Sequence, residues 1–202
     1  MIYERQFSVM IIDISQELFS CRIFPGDDPP TFNRVKSIGN GDAYDLTNIS
    51  MCVHNGTHID APSHFIAGGG TVEQIGLSAF VGDCYVARRS GSLYAQDVIE
   101  IMENARAADA AKRILIAGDI VITADAARAF AQSGICLIGN ESQTIGPPDA
   151  PAEVHRILLG AQIVILEGIV LTDAVEGRYF LSAAPLKLGG CEGSPCRAYL
   201  MR

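Results

Sequence analysis

Arg113-Ile114-Leu115-Ile116-Ala117, then Thr123 before the run 124–132, then Gly134 before Ile135-Cys136-Leu137-Ile138, is the stretch whose reading decides the fold. Its first and last pieces are short apolar runs of the length and composition of strands. The middle piece is helical, with Thr123 to cap its first turn and Gly134 to take the left-handed backbone that ends it. Strand, helix and strand in so short a span mean a mixed α and β architecture.

The same rhythm continues on both sides. Downstream, Pro151 suits the first turn of a helix through Leu159, and Ile163-Val164-Ile165-Leu166 is an apolar strand that runs into Glu167. Two further strands, about Tyr179 to Pro185 and Arg197 to Met201, close the chain. Upstream, residues 93–111 place Val98, Ile99, Ile101, Met102 and Ala105 near helical spacing, and Ala79 to Arg89 reads as a strand. Val9 to Ile14 is predicted to be a buried strand. Residues 31–38 and 44–54 are two extended segments around the turn composition Gly39-Asn40-Gly41-Asp42, hence a hairpin or meander. The run Phe24-Pro25-Gly26-Asp27-Asp28-Pro29-Pro30 is a stiff loop, on which Phe24 either lines a pocket or plugs the core. No repeat, low-complexity tract or linker divides residues 1–202, so a single domain is expected.

Composition narrows the function classes. With 49% hydrophobic and 19% charged residues the chain is that of a globular enzyme, not a disordered segment. A formal charge of −8 argues against nucleic acid as a partner, because phosphate backbones are held by a positive field. No run approaches the roughly 18 apolar residues that span a bilayer, so no membrane role is expected. Met1-Ile2-Tyr3-Glu4-Arg5-Gln6 has no secretory-signal character, which makes cytoplasmic residence the expectation. The six cysteines, at 21, 52, 84, 136, 191 and 196, fall largely in or beside apolar runs and read as free thiols. Cys191 and Cys196 have neither the redox nor the zinc-knuckle spacing.

The chemistry concentrates in His54-Asn55-Gly56-Thr57-His58-Ile59-Asp60-Ala61-Pro62-Ser63-His64-Phe65, which holds three of the four histidines of the chain. Imidazole and carboxylate are the donors that suit zinc and similar divalent ions, and such ions generate hydroxide from water near neutral pH. His54, His58, Asp60 and His64 all fall on even positions, so an extended backbone would turn them to one side. Gly56 and Pro62 permit the bends that converge them. The fourth histidine, His155, lies on the predicted helix, and Glu167 follows twelve positions later at the end of an apolar strand. These two donors would complete a two-metal arrangement with ions about 3.5–4 Å apart, bridged by Asp60 and Glu167.

The run from His54 to Phe65 is similar to the H-x-G-T-H-x-D-x-P-x-H-F signature of the Putative cyclase family of metal-dependent hydrolases, which includes bacterial kynurenine formamidases and isatin hydrolases. The later blocks His155-Arg156-Ile157-Leu158-Leu159, Ile165-Leu166-Glu167-Gly168, Pro185-Leu186-Lys187-Leu188 and Gly193-Ser194-Pro195-Cys196-Arg197-Ala198 resemble it too. The resemblance implies a mixed, partly barrel-like sheet with flanking helices, of the swivelling β/β/α type. It implies two divalent ions, zinc first and manganese as the alternative. His54, His58 and Asp60 would hold one ion, with Asp60 bridging, and His155 and Glu167 the second, while His64 would be the acid or base. Phe24 stands where the formamidases usually carry a Trp that packs on the aromatic substrate; it can stack, with less area and no indole N–H.

The expected activity is therefore hydrolysis of the C–N bond of a small amide by a metal-bound hydroxide. The substrate guess is an aryl formamide such as N-formyl-L-kynurenine. The alternatives are a cyclic amide such as isatin, or a metal-binding domain without catalysis. A homo-oligomer, dimer or tetramer, is implied by the same resemblance.

Overall fold

Four parallel strands form the middle of the molecule. In the computed structural model, which describes residues 9–202, strands β5 (Val81–Arg88), β7 (Arg113–Ala117), β9 (Leu137–Asn140) and β10 (Val164–Glu167) lie side by side in that order. Ile114 is level with Tyr85 on one neighbour and Ile138 on the other, and Ile138 with Ile165. Parallel neighbours require a crossover, and helices α1 (Ala95–Ala107), α2 (Ala124–Ser133) and α3 (Ala152–Gly160) provide it. The strand side chains alternate between two core layers: Ile114 and Ile116 pack with Phe130 and Leu158 of the helices, Leu115 and Ala117 with the layer around Ile59 and Leu200. Every residue of β7 is buried for that reason, as a strand covered on both faces must be.

Antiparallel strands extend this centre on both sides. Beyond β5 lie β11 (Gly177–Ser182), β13 (Tyr199–Met201) and β1 (Ile11–Asp13); beyond β10 lie β4 (His58–Asp60) and β12 (Gly193–Pro195). The resulting nine-stranded mixed sheet is curled into a half-barrel with the three helices on one face, so the expected mixed, partly barrel-like architecture is what the chain forms. The α2 boundaries follow its caps: Thr123 Oγ1 accepts the Ala126 N–H at 3.2 Å, and Gly134 sits at φ +83°. Arg113, the one charged residue of β7, donates from its guanidinium to the carbonyls of Ala79, Asp83 and Ser78.

Two features depart from expectation. The first apolar run is not a buried strand: β1 is short and lies at the sheet margin, and Val9, Met10 and Ile11 are exposed. Ile12 is half-buried against the core, and Ile14, just beyond the strand, is fully buried in it. Composition reports that a run is apolar, but which strand ends up at an edge is settled by partners far away in sequence. The pair β6 (Gly91–Leu93) and β8 (Ile120–Ile122), and strand β12, were not expected at all. Each is three residues long, and β12 contains Gly and Pro, which read as strand breakers but are tolerated at an edge. The expected hairpin forms as β2 (Thr31–Lys36) and β3 (Leu46–Ser50), outside the main sheet. No helix among the described residues is long and apolar enough to cross a membrane.

Candidate metal centre

The register of one strand pair assembles most of the site. In the antiparallel pair β4 and β10, His58 stands opposite Glu167. Residues opposite one another, and residues two apart on one strand, share a face. His58, Asp60 and Glu167 therefore leave the sheet together, while Ile59 points the other way into the core. Helix α3 covers the first face and brings in His155, whose Nε2 is 3.2 Å from Glu167 Oε1 and 3.5 Å from Asp60 Oδ2. His58 Nε2 lies 3.4 Å from Asp60 Oδ1 and 3.5 Å from Glu167 Oε2.

His54 arrives differently. It precedes the turn at Gly56, whose φ is +65°, and places Nδ1 2.9 Å from Asp60 Oδ1. His64 ends the 3-10 turn Pro62–His64. The even-position reading thus holds along a strand only for His58 and Asp60; turns at Gly56 and Pro62 bring the other two histidines back. Gly193 is needed opposite them, because a Cβ there would stand 2.7 Å from His54 Cε1.

Backbone carbonyls orient two of the imidazoles. Nδ1 of His58 is 3.0 Å from the Gly56 carbonyl and Nδ1 of His155 is 2.9 Å from that of Pro151, so each donates there and turns Nε2 to the site. The Gly56 carbonyl also accepts Gln143 Nε2–H at 3.0 Å. Gln16 ties that amide down, donating from Nε2 to Gln143 Oε1 at 2.6 Å and to the Gly168 carbonyl at 2.7 Å. Glu167 Oε1 accepts the Ile145 N–H at 2.7 Å.

His58, Asp60, His155 and Glu167 are each at most 3% exposed, so two carboxylates are held out of water and require cations beside them. Where protons are the only cations, burial opposes charge on His58, but hydrogen bonds to Asp60 and Glu167 outweigh it and push its pKa up to about 10. The same balance takes His155 to about 10. Burial opposes the charge of Asp60 in turn, and the imidazoles of His155, His54 and His58 beside it hold its carboxyl well below the usual range.

The donor set fits divalent ions. Two triplets, His54 with His58 and Asp60, and Asp60 with His155 and Glu167, each bring ligand atoms within 4.8 Å of one another and share Asp60. His54 Nε2 and Asp60 Oδ2 are buried without a hydrogen-bond partner, free electron pairs of the kind a cation would occupy. Imidazole and carboxylate donors without thiolate suit zinc or manganese.

A pocket of about 210 Å³ opens onto these groups, walled by Phe24, Asp27, His64, Phe65, Gln143, Thr144 and Pro151. Phe24 thus stands on the pocket wall. His64 lies outside both triplets, stacked on His54 with ring centroids 4.1 Å apart. Burial, ahead of the surrounding charges, lowers its pKa below 6.5. Phe65 packs its ring 4.5 Å from that of His155. A larger groove of about 700 Å³, between Asp13 and Cys196, has no such ligand set, so chemistry and not size marks the site. Of the wall residues, Phe65 was visible in sequence only as the end of the motif, and Gln143 and Thr144 carried no signal.

The chain is similar to known proteins over nearly its whole length. The kynurenine formamidase of Erythrobacter litoralis (strain HTCC2594) is 31% identical over 204 residues, covering 94% of this chain and 93% of that protein. A solved structure described as a "predicted metal-dependent hydrolase" from Bacillus stearothermophilus superposes with a TM-score of 0.80 at 28% identity, over 96% of this chain and 98% of the other. Isatin hydrolase A from Labrenzia aggregata, solved bound to benzyl benzoate, shares the fold with a TM-score of 0.80 at 24% identity, over 96% and 93% of the two chains. The sequence profile of the family described as "Putative cyclase" matches residues 12–166, a span that contains all five candidate ligands except Glu167, and the chain belongs to that family.

Proposed function

We propose that this protein is a metal-dependent hydrolase of small amides, with residues 1–202 acting as one hydrolase unit and an aryl formamide such as N-formyl-L-kynurenine as its substrate. The observation that carries the reading is the pair of ligand triplets sharing Asp60, with His64 beside them in the same pocket. The curated formamidase relative supports the formamide. The pocket volume of about 210 Å³ is below the ~300–1,000 Å³ of drug-sized sites, which suits a small substrate.

His54, His58 and Asp60 would hold one divalent ion, and Asp60, His155 and Glu167 a second, with zinc proposed and manganese as the alternative. Such ions, when bound, supply Lewis acidity, lowering the pKa of water and drawing charge from a carbonyl. His64 is neutral near pH 7 because of its lowered pKa, so it starts as a base. It takes the proton of the attacking water on its ring and returns it to the arylamine nitrogen as the C–N bond breaks. Phe24 and Phe65 offer ring faces to the aryl group.

One observation favours a second substrate. Among the described residues the pocket wall contains no Lys or Arg, so the carboxylate of an amino-acid substrate meets no cationic side chain from them there. A neutral cyclic amide such as isatin would not need one. Assaying zinc- and manganese-loaded protein on N-formyl-L-kynurenine, formanilide and isatin separates the readings; metal-loaded protein idle on all three would be a metal-binding domain only. His64→Ala is expected to keep its metal and lose about 10²–10⁴-fold in rate. Unchanged turnover in that variant removes His64 from the chemistry.

We also propose a homo-oligomer, dimer or tetramer, and a cytoplasmic setting. The hairpin supports the first: every residue of β2 and β3 is exposed, Phe32, Val35, Leu46 and Ile49 among them, and an isolated two-stranded hairpin is marginal in water. The six unpaired cysteines support the second.

A further inference from the structure

We propose that the Thr144 hydroxyl contacts the substrate, donating a hydrogen bond to the oxygen of the amide under attack; this rests on the hydrolase reading above. Thr144 is only 6% exposed, lies on the pocket wall, and its Oγ1 has no hydrogen-bond partner. A buried hydroxyl without a partner lowers stability, so such groups in a folded protein call for an explanation. At the metal centre His54 Nε2 and Asp60 Oδ2 share this condition, and a cation explains both. A neutral threonine hydroxyl beside imidazoles and carboxylates is not a ligand that zinc would choose. A molecule that enters the pocket can satisfy it.

Thr144 is also fixed in place. Its carbonyl accepts Asn140 Nδ2–H at 3.3 Å and its own N–H donates to Ser142 Oγ at 3.4 Å. On either side, Gln143 is bonded to the Gly56 carbonyl and the Ile145 N–H to Glu167. Only rotation about its own side-chain bonds is left, so the hydroxyl is a donor held ready before substrate arrives. His64 and Thr144 line the same pocket: His64 stacks on His54, and Thr144 precedes Ile145, whose N–H is bonded to Glu167. In the proposed arrangement the amide nitrogen lies at His64 and its oxygen, where charge grows as water adds to the carbonyl carbon, at Thr144.

The test compares Thr144→Val, which keeps the shape and removes the hydroxyl, with Thr144→Ser, which restores it. Rates are measured on whichever of N-formyl-L-kynurenine, formanilide and isatin the metal-loaded wild type hydrolyses, together with metal per chain and Tm. The expected result for Thr144→Val is a fall of about 100–1,000-fold in kcat with full metal content, since one preorganised donor to the oxyanion is lost. Its Tm should be unchanged or raised by about 2–4 °C, because an unpartnered hydroxyl has been replaced by a methyl group. Thr144→Ser should recover most of the rate. Wild-type kcat in Thr144→Val overturns the inference, and so does a lowered Tm in Thr144→Val that Thr144→Ser restores, the sign of a structural hydroxyl. A metal-loaded wild type that hydrolyses none of the three amides overturns the hydrolase reading itself.

Discussion

His58 and His155 each face two buried carboxylates, and that arrangement has a consequence for pH. Their pKa values are raised to about 10, against about 6.5 for histidine in an unfolded chain. A raised folded-state pKa contributes stability that is fully present below the unfolded value and is lost as pH climbs through the folded one. Protein stripped with a chelator is therefore expected to show Tm falling between about pH 7 and 10, measured by calorimetry. Metal uptake should run the opposite way, weakening as pH falls, because ions and protons compete for the same imidazoles. A flat Tm across that range would mean that these histidines are not charged in the metal-free protein. At this scale the sequence was informative where donors are neighbours in the chain. His54, His58, Asp60 and His64 could be read together because one short stretch holds them. His155 and Glu167 were weak signals separately, and Gln143 and Thr144 were invisible, since a polar residue in a loop looks the same whether it faces water or a pocket.

Gly168 shows what an element junction demands. It follows β10 at φ +66°, and a Cβ there would stand 2.3 Å from the Gly56 carbonyl oxygen, the acceptor that orients His58. Gly168→Ala combines backbone strain with a clash into the ligand turn. It is expected to cost about 3 kcal/mol or more and to lower metal content, read by denaturant titration and metal analysis. Gly134→Ala is the control: it shares the left-handed backbone, at φ +83°, but a Cβ added there would meet nothing within 4 Å, so about 1 kcal/mol and normal metal content are expected. Equal losses in the two variants would show that the contact with Gly56 does not matter. Helix α2 was legible down to its ends because Thr123 and Gly134 are local signals. Strands β4 and β12 were not, because three-residue strands around Gly or Pro exist only through the partners that pair with them.

The whole molecule leaves the β2–β3 hairpin without a cover. Phe32 and Ile49 stand opposite each other across it, 58% and 56% exposed. If that face joins copies of the chain, Phe32→Glu with Ile49→Lys should convert the assembly into 21.6 kDa monomers in sedimentation, whereas wild type sediments as a dimer or tetramer. Wild type sedimenting as a monomer would refute the proposed oligomer. The sequence by itself determined the alternation of helices and strands, the chemical nature of the site and four of its residues, because these depend on local periodicity, caps and a contiguous motif. Only the tertiary structure decided that β4 pairs with β10 so that His58 meets Glu167, that α3 lowers His155 onto the same face, and that β1 lies at an edge. Those are contacts between segments distant in the chain, fixed by strand register and by burial of one layer against another. A motif can announce candidate metal ligands; the pocket walls, Phe24 and Thr144 included, are set by how the rest of the chain closes around them.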